Sequence, residues 1–208
     1  MFITLEGPEG SGKTSHLVPL ADWLTEMGYR VLTSREPGGT PIGEQIRAVL
    51  HSLQNQDMHP RTETLLYQAA RAQLVEQVIR PKLAEGYLLL CDRYADSTLA
   101  YQGYGHQQDL AQVRALIQYA TGGLTPDLTF LLDLDVEIGL KRKQQNTGAW
   151  NRLDAYALAF HQRVRAGYLE LARLEPQRWI IVDASRPWEE VQEGLRAALR
   201  PRLPSIRP

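Results

Sequence analysis

Phe2-Ile3-Thr4-Leu5-Glu6-Gly7-Pro8-Glu9-Gly10-Ser11-Gly12-Lys13-Thr14 is the stretch that decides the fold. An apolar strand, 2–6, runs into a G-x-x-x-x-G-K-T loop, Gly7, Pro8, Glu9, Gly10, Ser11, Gly12, Lys13 and Thr14, and the chain then takes up helical periodicity. In that order the loop amides can surround phosphate oxygens while the following helix aims its positive end at the same anion. Gly10 and Gly12 permit the reversal of the backbone. Lys13 is placed to neutralise the outer phosphates, and the Thr14 hydroxyl to ligate Mg2+. A glycine-rich turn with an exposed lysine would explain the loop alone, but not the ordered set of strand, loop, lysine, hydroxyl and helix.

Working outward, short apolar runs recur at 30–34, 87–92, 128–133 and 179–183, which with 2–6 makes five predicted strands. Helical patterns lie between them at 13–27, 43–53, 62–85, 110–121, 137–145, 154–174 and 188–199. Alternation of this kind predicts an α/β fold with a five-stranded parallel sheet flanked by helices. Strands covered on both faces read as unbroken apolar runs, as Leu88-Leu89-Leu90-Cys91 and Phe130-Leu131-Leu132 do. Ligands in such sheets bind beyond the carboxyl ends of the strands, where Glu6, Arg35, Asp92 and Asp133 fall.

The 208 residues suit one domain, expected over 1–200, with 201–208 as a disordered tail because three prolines there deny it a helix. The chain is 43% hydrophobic and 23% charged with a net charge of −1, which gives no reason to expect attraction to nucleic acid or to a membrane surface. No basic leader and no long apolar stretch is seen, so a cytoplasmic location is expected. The single cysteine, Cys91, cannot form an intrachain disulfide and reads as a buried thiol.

A phosphate loop implies binding of a nucleoside triphosphate but not its use. No Asn-Lys-x-Asp segment of the kind that reads guanine is present, which counts against a GTPase. The third strand ends in Asp92-Arg93-Tyr94, beside the loop, where Asp92 can hold Mg2+ through water and Arg93 can clamp phosphate with a planar fork of donors. A strand-end aspartate could instead cap the next turn.

With these residues in view the sequence resembles the thymidylate kinases of bacterial type, which phosphorylate dTMP with ATP and Mg2+. The resemblance covers 2–183 and rests on Leu5 to Thr14, on Arg35-Glu36-Pro37-Gly38-Gly39-Thr40, on Asp92-Arg93-Tyr94 with Ser97 and Ala100-Tyr101-Gln102-Gly103, and on Pro126-Asp127-Leu128-Thr129. It implies a three-layer P-loop NTPase fold with a short mobile lid at about 143–153, and a homodimer. It further implies that Glu9 approaches the deoxyribose 3′-hydroxyl and that Arg35 and Arg93 hold the dTMP phosphate. Tyr67 would stack on thymine and Arg71 donate to one of its carbonyls. Ser97, Thr98 and Gln102 would line the base pocket, and Tyr101 would lie under the sugar. Tyr67 and Arg71, four apart on a predicted helix, could equally pack on each other, and Arg35 could be a solvated cation.

The chain departs from the family pattern in its lid. Gly148 stands where a lid arginine is usual, and Gly10 where the other subtype carries an arginine. Arg152, in Asn-Arg-Leu-Asp, is then the expected lid cation acting with Lys13 and Arg93 in catalysis, and Arg142 is expected beside adenine. From Lys141 to Arg165 there are six Lys or Arg and one acid, Asp154, which a solvated helix face would explain as well. No dedicated general base is expected, because an acceptor phosphate is already ionised at neutral pH. Two rival readings keep the loop: a kinase for another nucleotide or a deoxynucleoside, and a nucleotide-switched binding protein without turnover.

Overall fold

Strand β1, Phe2–Glu6, is buried along its whole length at the centre of the sheet. It pairs in parallel with β3, Leu88–Asp92, on one side and with β4, Leu128–Asp133, on the other. Val31–Arg35, β2, extends the sheet beyond β3, and Trp179–Asp183, β5, beyond β4, giving the order β2-β3-β1-β4-β5 with every pair parallel. The computed structural model describes residues 1–145 and 150–205.

Strand alternation divides the core between the two faces. Ile3, Leu5, Leu88, Leu90, Phe130 and Leu132 meet the apolar stripes of α1, Lys13–Glu26, and α9, Trp188–Leu199. On the other face Phe2, Leu89 and Cys91 pack under α3, Pro60–Leu74, which runs on through a π-helical turn, Val75–Ile79, into α4, Arg80–Ala84. Leu131 and Trp179 on that face meet α8, Leu158–Leu174. Further helices are α2, Pro41–His51, α6, Leu110–Thr121, and α7, Val136–Gln145, with a 3-10 turn at Arg152–Ala155. Thr40 caps α2 by accepting from the Gly43 amide at 3.0 Å.

Two expectations need correction. The segment after β3 is helical, α5 at Ala95–Thr98 continuing as a π-helix over Leu99–Gly105, although no helix was legible there. Leu99, Ala100, Tyr101, Gln102, Gly103 and Gly105 are all buried, so no polar face exists to betray a helical period. The tail expected to be disordered is held as far as Pro204: a 3-10 turn spans Arg200–Arg202, Leu203 packs on the core, and the Tyr29 hydroxyl donates to the Pro204 carbonyl at 2.7 Å. Residues 206–208 lie outside the described residues.

The chain leaves β1 toward β2 and leaves β3 toward β4, so the connections from these two adjacent central strands run in opposite directions. That reversal of direction opens a crevice above their carboxyl ends, where Gly7 and Arg93 begin the loops.

Candidate active site

A cavity of about 1100 Å3 lies over that crevice. Its floor is the glycine loop. Gly12 precedes α1 in a left-handed conformation, φ 88, and no side chain caps the first turn of the helix, which leaves its amides directed at the cavity. The Lys13 ammonium folds back onto the loop, donating to the carbonyls of Gly7 at 3.0 Å and Pro8 at 2.9 Å and to Ser11 Oγ at 3.2 Å. Burial, with the nearby Arg93 charge, lowers its pKa to about 8. An anion in the loop would oppose both effects. Thr14 Oγ1 donates to Asp92 Oδ2 at 2.5 Å.

Arg93 reaches over the loop from the end of β3. Its backbone has φ 69, a left-handed conformation unusual outside glycine, and this turns the side chain back toward Gly7. Nη1 donates to the Gly7 carbonyl, Ser97 Oγ and the Tyr168 hydroxyl at 3.1, 3.2 and 3.0 Å. Nη2 donates to Glu9 Oε1 at 2.7 Å and to the Tyr101 hydroxyl at 3.0 Å. Behind it Glu6 accepts from the Tyr94 amide, Ser97 Oγ and Tyr168, and burial with the Asp96 charge raises its carboxyl to about 7. Burial would raise Glu9 too, but Arg93, Lys143 and Lys13 together hold it well below the usual carboxylate range.

Of the other expected site residues, Tyr67, Ser97, Thr98, Tyr101, Gln102 and Arg142 all border the cavity. Gln102 Nε2 donates to Glu63 Oε1 at 2.7 Å, and Arg142 Nη1 to the Ala184 carbonyl just after β5 at 3.1 Å. Arg35 stands on the rim, half exposed, paired with Glu44 at 3.0 Å.

Two placements differ from expectation. Arg71 does not border the cavity: its five N–H groups are spent on Glu36, Gln68, Thr98 and the Tyr94 carbonyl, so it braces Thr98 and Gln68 from behind. Arg152, expected to face the phosphates, is 2% exposed and turned the other way. It pairs with Glu63 and donates to the Leu50 carbonyl at 2.9 Å and to the Tyr156 hydroxyl at 2.6 Å. A buried carboxylate holds a guanidinium more strongly than an open cleft does. The Gly148 position lies outside the described residues.

Other side chains that border the cavity escaped the sequence reading. Arg47 on α2 donates to the Pro37 carbonyl at 2.8 Å, and burial together with the charge of Arg35 lowers its pKa. It lies one turn beyond Gly43 on the same helix face, and Gly43 packs against the Gly38 carbonyl; that spacing was the available signal. His51 is pushed down to about 3 by burial and by Arg47, so it adds no charge at neutral pH. Lys143, at the end of α7, reaches Glu9 Oε2 at 2.9 Å.

Cations thus gather at both ends of one cleft, Lys13 on the loop side and Arg35 and Arg47 across from it, with Arg93 between. The family model for thymidylate kinase matches residues 5–195. The chain belongs to the thymidylate kinase family. A thymidylate kinase of Roseiflexus castenholzii is 50% identical over 99% of this chain and 95% of its own length. One from Deinococcus radiodurans is 50% identical over 97% of each. The crystal structure of a thymidylate kinase from Ehrlichia chaffeensis superposes with a TM-score of 0.78 at 32% identity, over 96% of this chain and 98% of that one. As a member of the thymidylate kinase family the chain is a nucleoside monophosphate kinase, with the P-loop NTPase fold.

Proposed function

We propose that this chain moves the γ-phosphoryl group of ATP to dTMP, giving ADP and dTDP, the phosphorylation that leads to dTTP. The observation that carries the reading is the pair of cationic stations in one cavity, the loop with Lys13 for a donor polyphosphate and Arg93 with Arg47 and Arg35 for an acceptor phosphate. In transfer the bond from the bridging oxygen to the γ-phosphorus breaks as one forms from a dTMP phosphate oxygen, and no proton must be removed first. The demand on the protein is alignment and positive charge on the oxygens that gain charge. Lys13 meets it on the donor side and Arg93 between donor and acceptor. Tyr67 offers an aromatic face to the base and Gln102 a directional amide, while Tyr101 and Glu9 border the space for the sugar.

Two oxygens fit Mg2+: Thr14 Oγ1 and Asp92 Oδ2, adjacent in the cavity. Among the described residues no group of three or more His, Cys, Asp or Glu could cage a metal ion. That suits an ion which keeps most of its shell as water and phosphate oxygen. When bound, Mg2+ would offset charge on the donor phosphates.

The reading is tested by a panel of dTMP, dUMP, dCMP, GMP, AMP and thymidine with ATP and Mg2+. Fastest turnover of dTMP is expected; preference for GMP or AMP would overturn the roles of Tyr67 and Gln102.

A homodimer is part of the same proposal. The packed pair α2 and α3 leaves Ile42, Val49 and Leu65 exposed, a face suited to a second copy. Light scattering should give twice the 23.5 kDa chain mass, and Leu65→Glu should halve it. A monomeric wild-type protein would refute the dimer. A cytoplasmic location is proposed with it: no described helix is long and apolar enough to cross a membrane, and Cys91 is a buried free thiol.

A further inference from the structure

We propose that Lys143 is a catalytic residue, the cation that α7 holds over the phosphate loop to neutralise the transferring phosphoryl group. The inference rests on the phosphoryl-transfer reading above.

Helix α7 and the loop meet backbone to backbone. A Cβ on Gly10 would lie 2.1 Å from the Gly139 carbonyl oxygen, and a Cβ on Gly139 would lie 2.1 Å from the Glu9 carbonyl oxygen. Gly10 also has φ 71, so position 10 is closed to a side chain on two counts. An arginine at position 10 is therefore sterically excluded here, and Arg152 is committed to Glu63. The same contact that closes position 10 fixes the register of α7 on the loop. Lys143 lies four residues after Gly139 on that face, one turn along.

Its ammonium is 2.9 Å from Glu9 Oε2 and 3.0 Å from Asp154 Oδ1, an ion pair with each carboxylate. The side chain is 15% exposed and borders the same cavity as Lys13, Thr14 and Arg93. Burial would discharge it, but Glu9 and Asp154 outweigh burial and raise its pKa, so it stays cationic. The Glu9 carboxylate is shared, Oε1 with Arg93 and Oε2 with Lys143, which sets two cations on opposite sides of one anion at the mouth of the loop. A phosphate dianion entering there offers more charge than Glu9, and a flexible four-carbon stem lets the ammonium follow it. Lys143 takes no proton; it offsets charge on the oxygens of the phosphoryl group between donor and acceptor.

The experiment compares Lys143→Met and Lys143→Arg with wild type at saturating ATP and dTMP, with ADP and dTMP affinities measured by calorimetry. For Lys143→Met, kcat should fall on the order of 10²-fold, the scale of one lost transition-state donor, with both affinities held. Lys143→Arg should recover most of the loss, and also covers the case in which the methionine variant fails to fold. An unchanged kcat beside an active wild type would overturn the inference alone. So would a weaker dTMP affinity at unchanged kcat, which would make Lys143 only a positioner of Glu9. A wild-type protein that makes no dTDP would remove the function reading, and this inference with it.

Discussion

Arg93→Ala is expected to lower kcat/KM for dTMP on the order of 10³-fold, the scale found when an arginine that stabilises phosphoryl transfer is removed. The guanidinium touches the loop carbonyl of Gly7, the Glu9 carboxylate and three hydroxyls, so both of its terminal nitrogens are held before any substrate arrives. A group placed in advance does not reorganise during reaction, which is why its loss should fall on the chemical step as well as on binding. Its position depends on backbone with φ 69, a conformation that costs a residue with a Cβ about 1 kcal/mol. Arg93→Gly should therefore be as inactive as Arg93→Ala yet about 1 kcal/mol more stable to urea. Steady-state kinetics and paired denaturation curves read both effects. A loss below tenfold in kcat/KM would remove Arg93 from the reaction, and equal stability of the two variants would remove the strain.

What the sequence made legible follows from which interactions are local. The loop from Gly7 to Thr14 acts through its own backbone and the helix that follows, so its spacing carries its meaning. The limits of β1, β4 and β5 agree with the apolar runs, because a strand between two helical layers shows its burial directly. Partner choice is different. Arg152 reads as one of six basic residues near the lid, and nothing local indicates that its carboxylate, Glu63, waits on α3. Arg71 likewise reads as a donor to a base until Glu36, Thr98 and Tyr94 are seen to surround it. Lys143 was visible as a lysine, but the face it occupies is set by the contact of Gly139 with the loop, which no periodicity reports.

The buried joint around Glu63 should yield the largest effect on stability. Glu63 is fully enclosed, with Oε1 accepting from Gln102 and sharing a hydrogen bond with His106 at 3.0 Å, and Oε2 taking Arg152 and Tyr156. Burial alone would raise its carboxyl, yet His106 and Arg152 bring it down to about 2, so it is ionised at neutral pH. Glu63→Leu would strand the Arg152 charge away from water with only the Leu50 carbonyl and Tyr156 to receive it. The expected cost is about 3 to 5 kcal/mol, read as a lower midpoint in urea. Adding Arg152→Met removes the stranded charge and should restore most of the loss, because an apolar pair in that volume needs no counterion. A double variant no more stable than Glu63→Leu would mean that the cost lies in the hydrogen bonds of Gln102 and His106 rather than in the unpaired guanidinium. The joint spans α3, the π-helix that carries Gln102 and the turn that carries Arg152, three segments that meet the cavity from different directions. One carboxylate therefore ties the cavity wall that carries Gln102 to the turn that follows α7.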